Sequence, residues 1–241
     1  MKKVIILVLF ISLSKNVFGG DFSLSAGGGG LLGYTFTRYT LEGGSVKSAQ
    51  NMDRINYAGF LFFDAVYAEF SIMFQGGNST YEENMIFDLT SLSDTWGTGY
   101  ETSFGFSLLG KYPLRINEKI LWFPMFGIEY QIALVQRRSP GGNIVYDRTT
   151  GHLTEDRDKD NNPYPLSAWN SFWIDIGAGL DYNIAGPLFM RGELLFGFRL
   201  PTIYESGALE VVKNPPMNAQ NPKLTGLTGG PALKIGIGYR F

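Results

Sequence analysis

Phe172-Trp-Ile-Asp-Ile-Gly-Ala-Gly-Leu-Asp-Tyr182 decides the fold. Phe172, Ile174, Ile176, Ala178, Leu180 and Tyr182 share one parity, and Asp175, Gly177, Gly179 and Asp181 share the other. Successive side chains of a strand point to opposite faces, so this segment has one apolar face and one of glycine and charge. An aromatic stands at each end of the apolar row. Ten steps at ~3.3 Å make ~33 Å of strand, or ~25 Å along a membrane normal at ~40° tilt. That is the height of the apolar band of a membrane barrel.

The same period recurs along the chain. Strands are expected at 22–40, 55–63, 66–75, 100–114, 122–134, 172–182, 188–200 and 233–241, eight in all. Strand 55–63 is apolar on both faces, which leaves its inward and outward sets open. The connections alternate in length. Positions 64–65, 115–118 and 184–186 read as tight turns, whereas 41–52, 77–97, 137–167 and 202–225 read as long polar loops. Short turns at one end, long loops at the other and an even strand count predict an all-β fold, an eight-stranded antiparallel up-and-down transmembrane β-barrel. Closure also removes the sheet edges that hydrocarbon does not tolerate. Both termini then lie on the periplasmic side, with the loops outside as candidate contacts for an extracellular partner.

Composition narrows the function classes. The 241 residues carry no Cys, one His, 31 Gly and a formal charge of −2. Without Cys there is no disulfide scaffold, thiolate zinc site or iron–sulfur cluster, and no cofactor is expected. No strongly basic face is available for nucleic acid. At the N-terminus Lys2 and Lys3 precede the apolar run 4–11, and Gly19 and Gly20 supply small residues. This order predicts a signal peptide over 1–19, with Gly20 as the alternative cut, and a barrel domain over 20–241.

Alternation alone does not separate a membrane barrel from a soluble lipocalin-like one. The glycine- and serine-rich face fits a narrow eight-stranded bore, and aromatics bracket the other face, so the apolar rows are expected to meet lipid. The last strand, Leu233-Lys-Ile-Gly-Ile-Gly-Tyr-Arg-Phe241, resembles the C-terminal signal of outer-membrane barrels, and its ending is similar to that of the small eight-stranded families called OmpX and OmpW. The resemblance implies that Leu233, Ile235, Ile237, Tyr239 and Phe241 form an assembly signal. It also implies delivery to the barrel-assembly machinery of an outer membrane, with lipid as the surrounding partner. In the OmpW family an apolar lumen passes small hydrophobic molecules; charges in the lumen expected here favour an OmpX-like or OmpA-like plugged interior.

By parity the interior holds Glu69, Glu101, Lys111, Glu129, Asp175, Asp181, Arg191, Glu193, Arg199 and Lys234, together with Arg240. Asp181 is expected diagonal to Arg191, and Glu193 level with Lys234. Such a mixed-sign set serves either as a static plug or as a gate in which exchanged partners open a narrow channel. Catalysis needs a positioned nucleophile and base, and the only candidate is His152 with Thr154 in the 137–167 loop. Asp156, Asp158 and Asp160 alternate like the start of a calcium loop, but the turn-forming Gly is absent and Ser167 stands at the twelfth position, so a solvated acidic loop is expected. The leading expectation is thus a non-enzymatic structural or surface-exposed barrel with at most a narrow gated channel. Uptake of small hydrophobic solutes is the alternative, and a lipid-modifying enzyme stands behind both.

Overall fold

Every alternating segment is a strand in the computed structural model, which describes residues 24–43, 46–87, 91–139, 143–147, 152–156, 166–202 and 223–241. In chain order the first six strands are β1 (Ser25–Gly43), β2 (Val46–Asp64), β3 (Ala68–Phe87), β4 (Ser91–Lys111), β5 (Leu114–Arg115) and β6 (Ile120–Ser139). β7 (Asn143–Asp147), β8 (His152–Asp156), β9 (Ser171–Ala185), β10 (Leu188–Arg199) and β11 (Lys223–Arg240) follow, with one 3-10 turn at Leu166–Trp169. Eight of these close a ring: β1, β2, β3, β4, β6, β9, β10 and β11 pair in that order, and β11 returns to β1, every pair antiparallel. β5 is a two-residue addition against β6, and β7 with β8 forms a separate hairpin.

The two ends of the ring differ as alternation predicts. At one end, tight connections join β2 to β3 and β9 to β10, and Ser25 is paired with both Asp64 and Arg240. The Phe241 N–H donates to the Leu24 carbonyl at 2.8 Å, which ties the last strand to the first at this end. Gly186 takes φ of 54° in the β9–β10 turn, a conformation that costs glycine nothing. Val66, with φ of 64°, occupies the β2–β3 turn, where a β-branched residue is strained. The strand expected from position 66 therefore begins at Ala68.

Several expected loops are strands. Of 41–52 only 44–45 lie outside the described residues; 41–43 complete β1 and 46–52 open β2. Likewise 77–87 belong to β3 and 91–97 to β4, and of 77–97 only 88–90 lie outside the described residues. β6 runs on through Ser139, and β11 starts at Lys223, which trims the 137–167 and 202–225 loops. His152 and Thr154 lie on β8, not in a loop. The cause is chemical: beyond the membrane the outward face of a strand meets water and turns polar, so the apolar row disappears while the inner face stays buried and the ladder of backbone bonds continues. The signal-peptide segment 1–19, Phe22, Asp158 and Asp160 lie outside the described residues.

Outside, the wall is apolar. Exposed Phe, Leu, Ile and Met cover it, with Phe74, Phe126, Leu194, Leu233 and Ile237 among them. Exposed tyrosines mark its two margins: Tyr67, Tyr112, Tyr182 and Tyr239 toward the tight turns, Tyr34, Tyr57, Tyr100 and Tyr130 toward the long connections. These are the aromatic girdles of a membrane band. The C-terminal row Leu233, Ile235, Ile237, Tyr239 and Phe241 is exposed throughout. Among the described residues no helix is long and apolar enough to cross a membrane.

Inside, the bore also holds large rings, whereas parity alone places the aromatics mainly on the exterior. Phe60, Phe62, Phe123 and Phe189 are buried, and β2 is resolved with Phe60 and Phe62 inward and Leu61 and Phe63 outward. Glycine on the neighbouring strand makes room for them. Gly179 is paired with Phe123 and Gly238 with Phe189, and a Cβ at either glycine would overlap the partner ring. Gly238→Val is therefore expected to lower stability by about 1–3 kcal/mol, the usual cost of overpacking, measured as a shift of the urea midpoint in detergent micelles.

Candidate functional site: the charged bore

The centre of the bore is Arg191, 1% exposed on β10. Its Nε and Nη2 donate to Asp181 at 2.7 and 2.9 Å, its Nη1 to Glu69 at 2.6 Å, and its Nη2 to Asp64 at 2.6 Å. Asp64, Glu69 and Asp181 come from β2, β3 and β9, so one guanidinium spans the barrel from wall to wall. Lys111 pairs with Asp64, and Arg240 with Asp181 at 3.1 Å and with Asn183. Three cations meet three carboxylates in this layer, which is the condition for keeping charge out of water. Phe62, Phe189 and Phe123 pack against the guanidinium at 4.6, 5.1 and 5.2 Å from their centroids. Rings and ions are packed together in one buried layer.

Above this layer, Glu193 and Lys234 are direct cross-strand partners with Nζ and Oε2 3.8 Å apart. Glu129 accepts from Gln131 at 2.5 Å, and Arg54 pairs with Glu101. Arg199 donates to Thr228 at 3.2 Å, and Thr228 donates to Thr37 at 3.0 Å. Asn56, Asp175 and Lys234 line a cavity of about 50 Å³, and each has a polar atom with no protein hydrogen-bond partner. The cavity accommodates one or two water molecules. Tyr39, Leu41, Met52 and Tyr81 are buried still further up β1, β2 and β3.

All ten residues placed in the bore by parity lie on the inner side, and Glu101 and Arg199 are its least buried members. Asp181 faces Arg191 directly, not diagonally, because the turn is centred on Gly186 and Pro187 and not on Ala185, and an irregularity between Leu188 and Phe189 then shifts the β9–β10 register by one residue. Two members escaped the sequence reading. Asp64 belongs to a tight turn by its position, and Arg54 precedes a strand whose faces both read as apolar. Their ion-pair partners, Lys111 for Asp64 and Glu101 for Arg54, stand 47 positions away, and no local pattern in the sequence marks either residue. Among the described residues no group of three or more His, Asp or Glu is arranged to hold a metal ion.

A closed ring of eight antiparallel strands, apolar outside between tyrosine girdles and charged within, defines a small transmembrane β-barrel. No family model matches the chain, and no curated protein sequence does. Among solved structures it is similar to the outer membrane protein OprG from Pseudomonas aeruginosa, at 10% identity over 91% of this chain and 96% of that one, with a TM-score of 0.47. It is also similar to Ail of Yersinia pestis, solved with the heparin analogue sucrose octasulfate, at 14% identity over 91% and 99% and a TM-score of 0.29. The translocator domain of the autotransporter NalP from Neisseria meningitidis matches at 11% identity over 100% and 96%, with a TM-score of 0.32.

Proposed function

We propose that the protein is an integral outer-membrane barrel with a sealed bore, non-enzymatic, whose working surface is the wall and the strands that rise above it. The observation that carries this reading is the Arg191 layer, in which a buried guanidinium binds three carboxylates from three strands and packs against three phenyl rings. β1 to β4 continue well past the outer tyrosines, which supports display toward an extracellular partner. The exposed terminal row from Leu233 to Phe241 supports recognition by barrel-assembly machinery. The reading includes cleavage of residues 1–19 on export. Refolded protein in a planar bilayer should give no stepwise conductance, because opening would break several buried ion pairs together. Steady single-channel steps in the unmodified protein would replace the plug with a pore.

One observation favours a second reading, passage of small apolar solutes through the wall. The β1–β11 ladder skips Tyr34 and Thr35, opposite Pro231 and Gly230, beside the 50 Å³ cavity. Proline has no N–H for the ladder. Proteoliposomes that take up an apolar solute, and lose that uptake with Pro231→Ala, would support this reading over display alone.

A further inference from the structure

Four outward residues form one straight cross-strand row where the wall meets the outer membrane surface: Tyr34 on β1, Ile55 on β2, Asn78 on β3 and Tyr100 on β4. Two rings thus stand at the ends of the row, three strand spacings or ~14 Å apart, with smaller side chains between them. The trough has a volume of about 680 Å³. Its upper row, Asp53, Thr80 and Thr98, is polar. Below it the wall turns apolar, and the directly paired Gly30 and Gly59 leave the surface open beneath Leu32 and Tyr57. The trough is polar above and greasy below.

Charge chooses the occupant. Arg38, the cation at the upper rim, is engaged by Asp53 at 2.7 Å, and the Tyr34 hydroxyl donates to the same carboxylate at 2.7 Å. Although desolvation opposes it, these hydrogen bonds hold the Asp53 carboxyl below its ordinary range, so the pair stays internally neutral. Arg54, which lines the trough, is engaged by Glu101, so among the described residues a phosphate would find both nearby cations already paired. A hydroxyl-rich ring finds what it needs: aromatic faces at both sides, and carboxylate, amide and hydroxyl partners between them. We propose that this trough binds a lipid with a saccharide headgroup, drawn from the surrounding leaflet, with its acyl chain laid over Gly30 and Gly59. The site rests on the reading of the wall as membrane-embedded.

The test is native mass spectrometry of the full chain released from nanodiscs holding equal amounts of monogalactosyl diacylglycerol, phosphatidylglycerol and phosphatidylethanolamine. The galactolipid adduct should exceed either phospholipid adduct about fivefold, the discrimination that one extra net hydrogen bond supplies. The double variant Tyr34→Ala, Tyr100→Ala should erase the preference, while Tyr100→Phe, which keeps the ring, should retain it. Equal adducts, a preference for phosphatidylglycerol, or a preference untouched by the double variant would overturn the site while leaving the barrel in its membrane. Protein that fails to enter nanodiscs at all would overturn the membrane reading and this site with it.

Discussion

Arg191→Met should destabilise the barrel by about 3–5 kcal/mol, the usual cost of removing one partner from a buried charge network. Methionine replaces much of the side-chain volume, so the loss comes from the carboxylates left behind. Asp64 retains Lys111 and Asp181 retains Arg240, whereas Glu69 loses the hydrogen bond it accepts from Arg191. Glu69 is 0% exposed and is the residue left worst off. Adding Glu69→Gln to Arg191→Met should therefore recover part of the loss, with a coupling of about 0.5–3 kcal/mol in the double-mutant cycle. The readouts are the urea midpoint in micelles and the gel-mobility difference between unboiled and boiled samples. A loss under about 1 kcal/mol, with no coupling to Glu69, would mean that the guanidinium does not hold the walls together.

Leu194→Arg is the other large effect, and it reports on the opposite face. Leu194 sits midway along β10 between Leu188 and Leu200 and is 61% exposed. At a surface site in water such a change alters stability by about 0.5 kcal/mol or less. At the midplane of a bilayer an arginine on the lipid face of a barrel costs about 2–4 kcal/mol, falling to about 0–1 kcal/mol near the margins. Leu200→Arg, at the end of the same row, should accordingly be mild. Equal and small effects at the two positions in lipid-reconstituted protein would place both in water.

Those two residues also show what was legible in the chain. β10 alternates Leu188, Met190 and Leu194 against Arg191, Glu193 and Arg199, so its two faces are legible in the sequence. β2 could not be read this way: Phe60 and Phe62 point inward because the bore needs rings to fill it, so apolar residues occupy both faces. The strands beyond the outer tyrosines were illegible for the complementary reason. In segment 77–82 the outward Asn78, Thr80 and Glu82 are polar and the inward row mixes Gly77 and Ser79 with the buried Tyr81, so no apolar row marks the strand. The composition of the charged layer was legible by parity, but its wiring was not. Arg191 reaches Glu69 and Asp64 across the bore, and no rule of sequence spacing predicts a contact between residues 122 positions apart. The direct facing of Arg191 and Asp181 depended on a register shift next to the β9–β10 turn, which residue types alone do not specify.

Absence of cysteine makes the most direct test simple, since every single-cysteine variant carries one label. A nitroxide scan of positions 188 to 199, in lipid-reconstituted protein, measures collision with oxygen and with a water-soluble nickel chelate at each site. Oxygen access should peak at 190, 194 and 198 and fall at 191, 193 and 195, with little nickel access at either set near the midplane. High nickel access at 190, 194 and 198, or oxygen peaks on the odd positions, would show that the apolar rows do not face lipid.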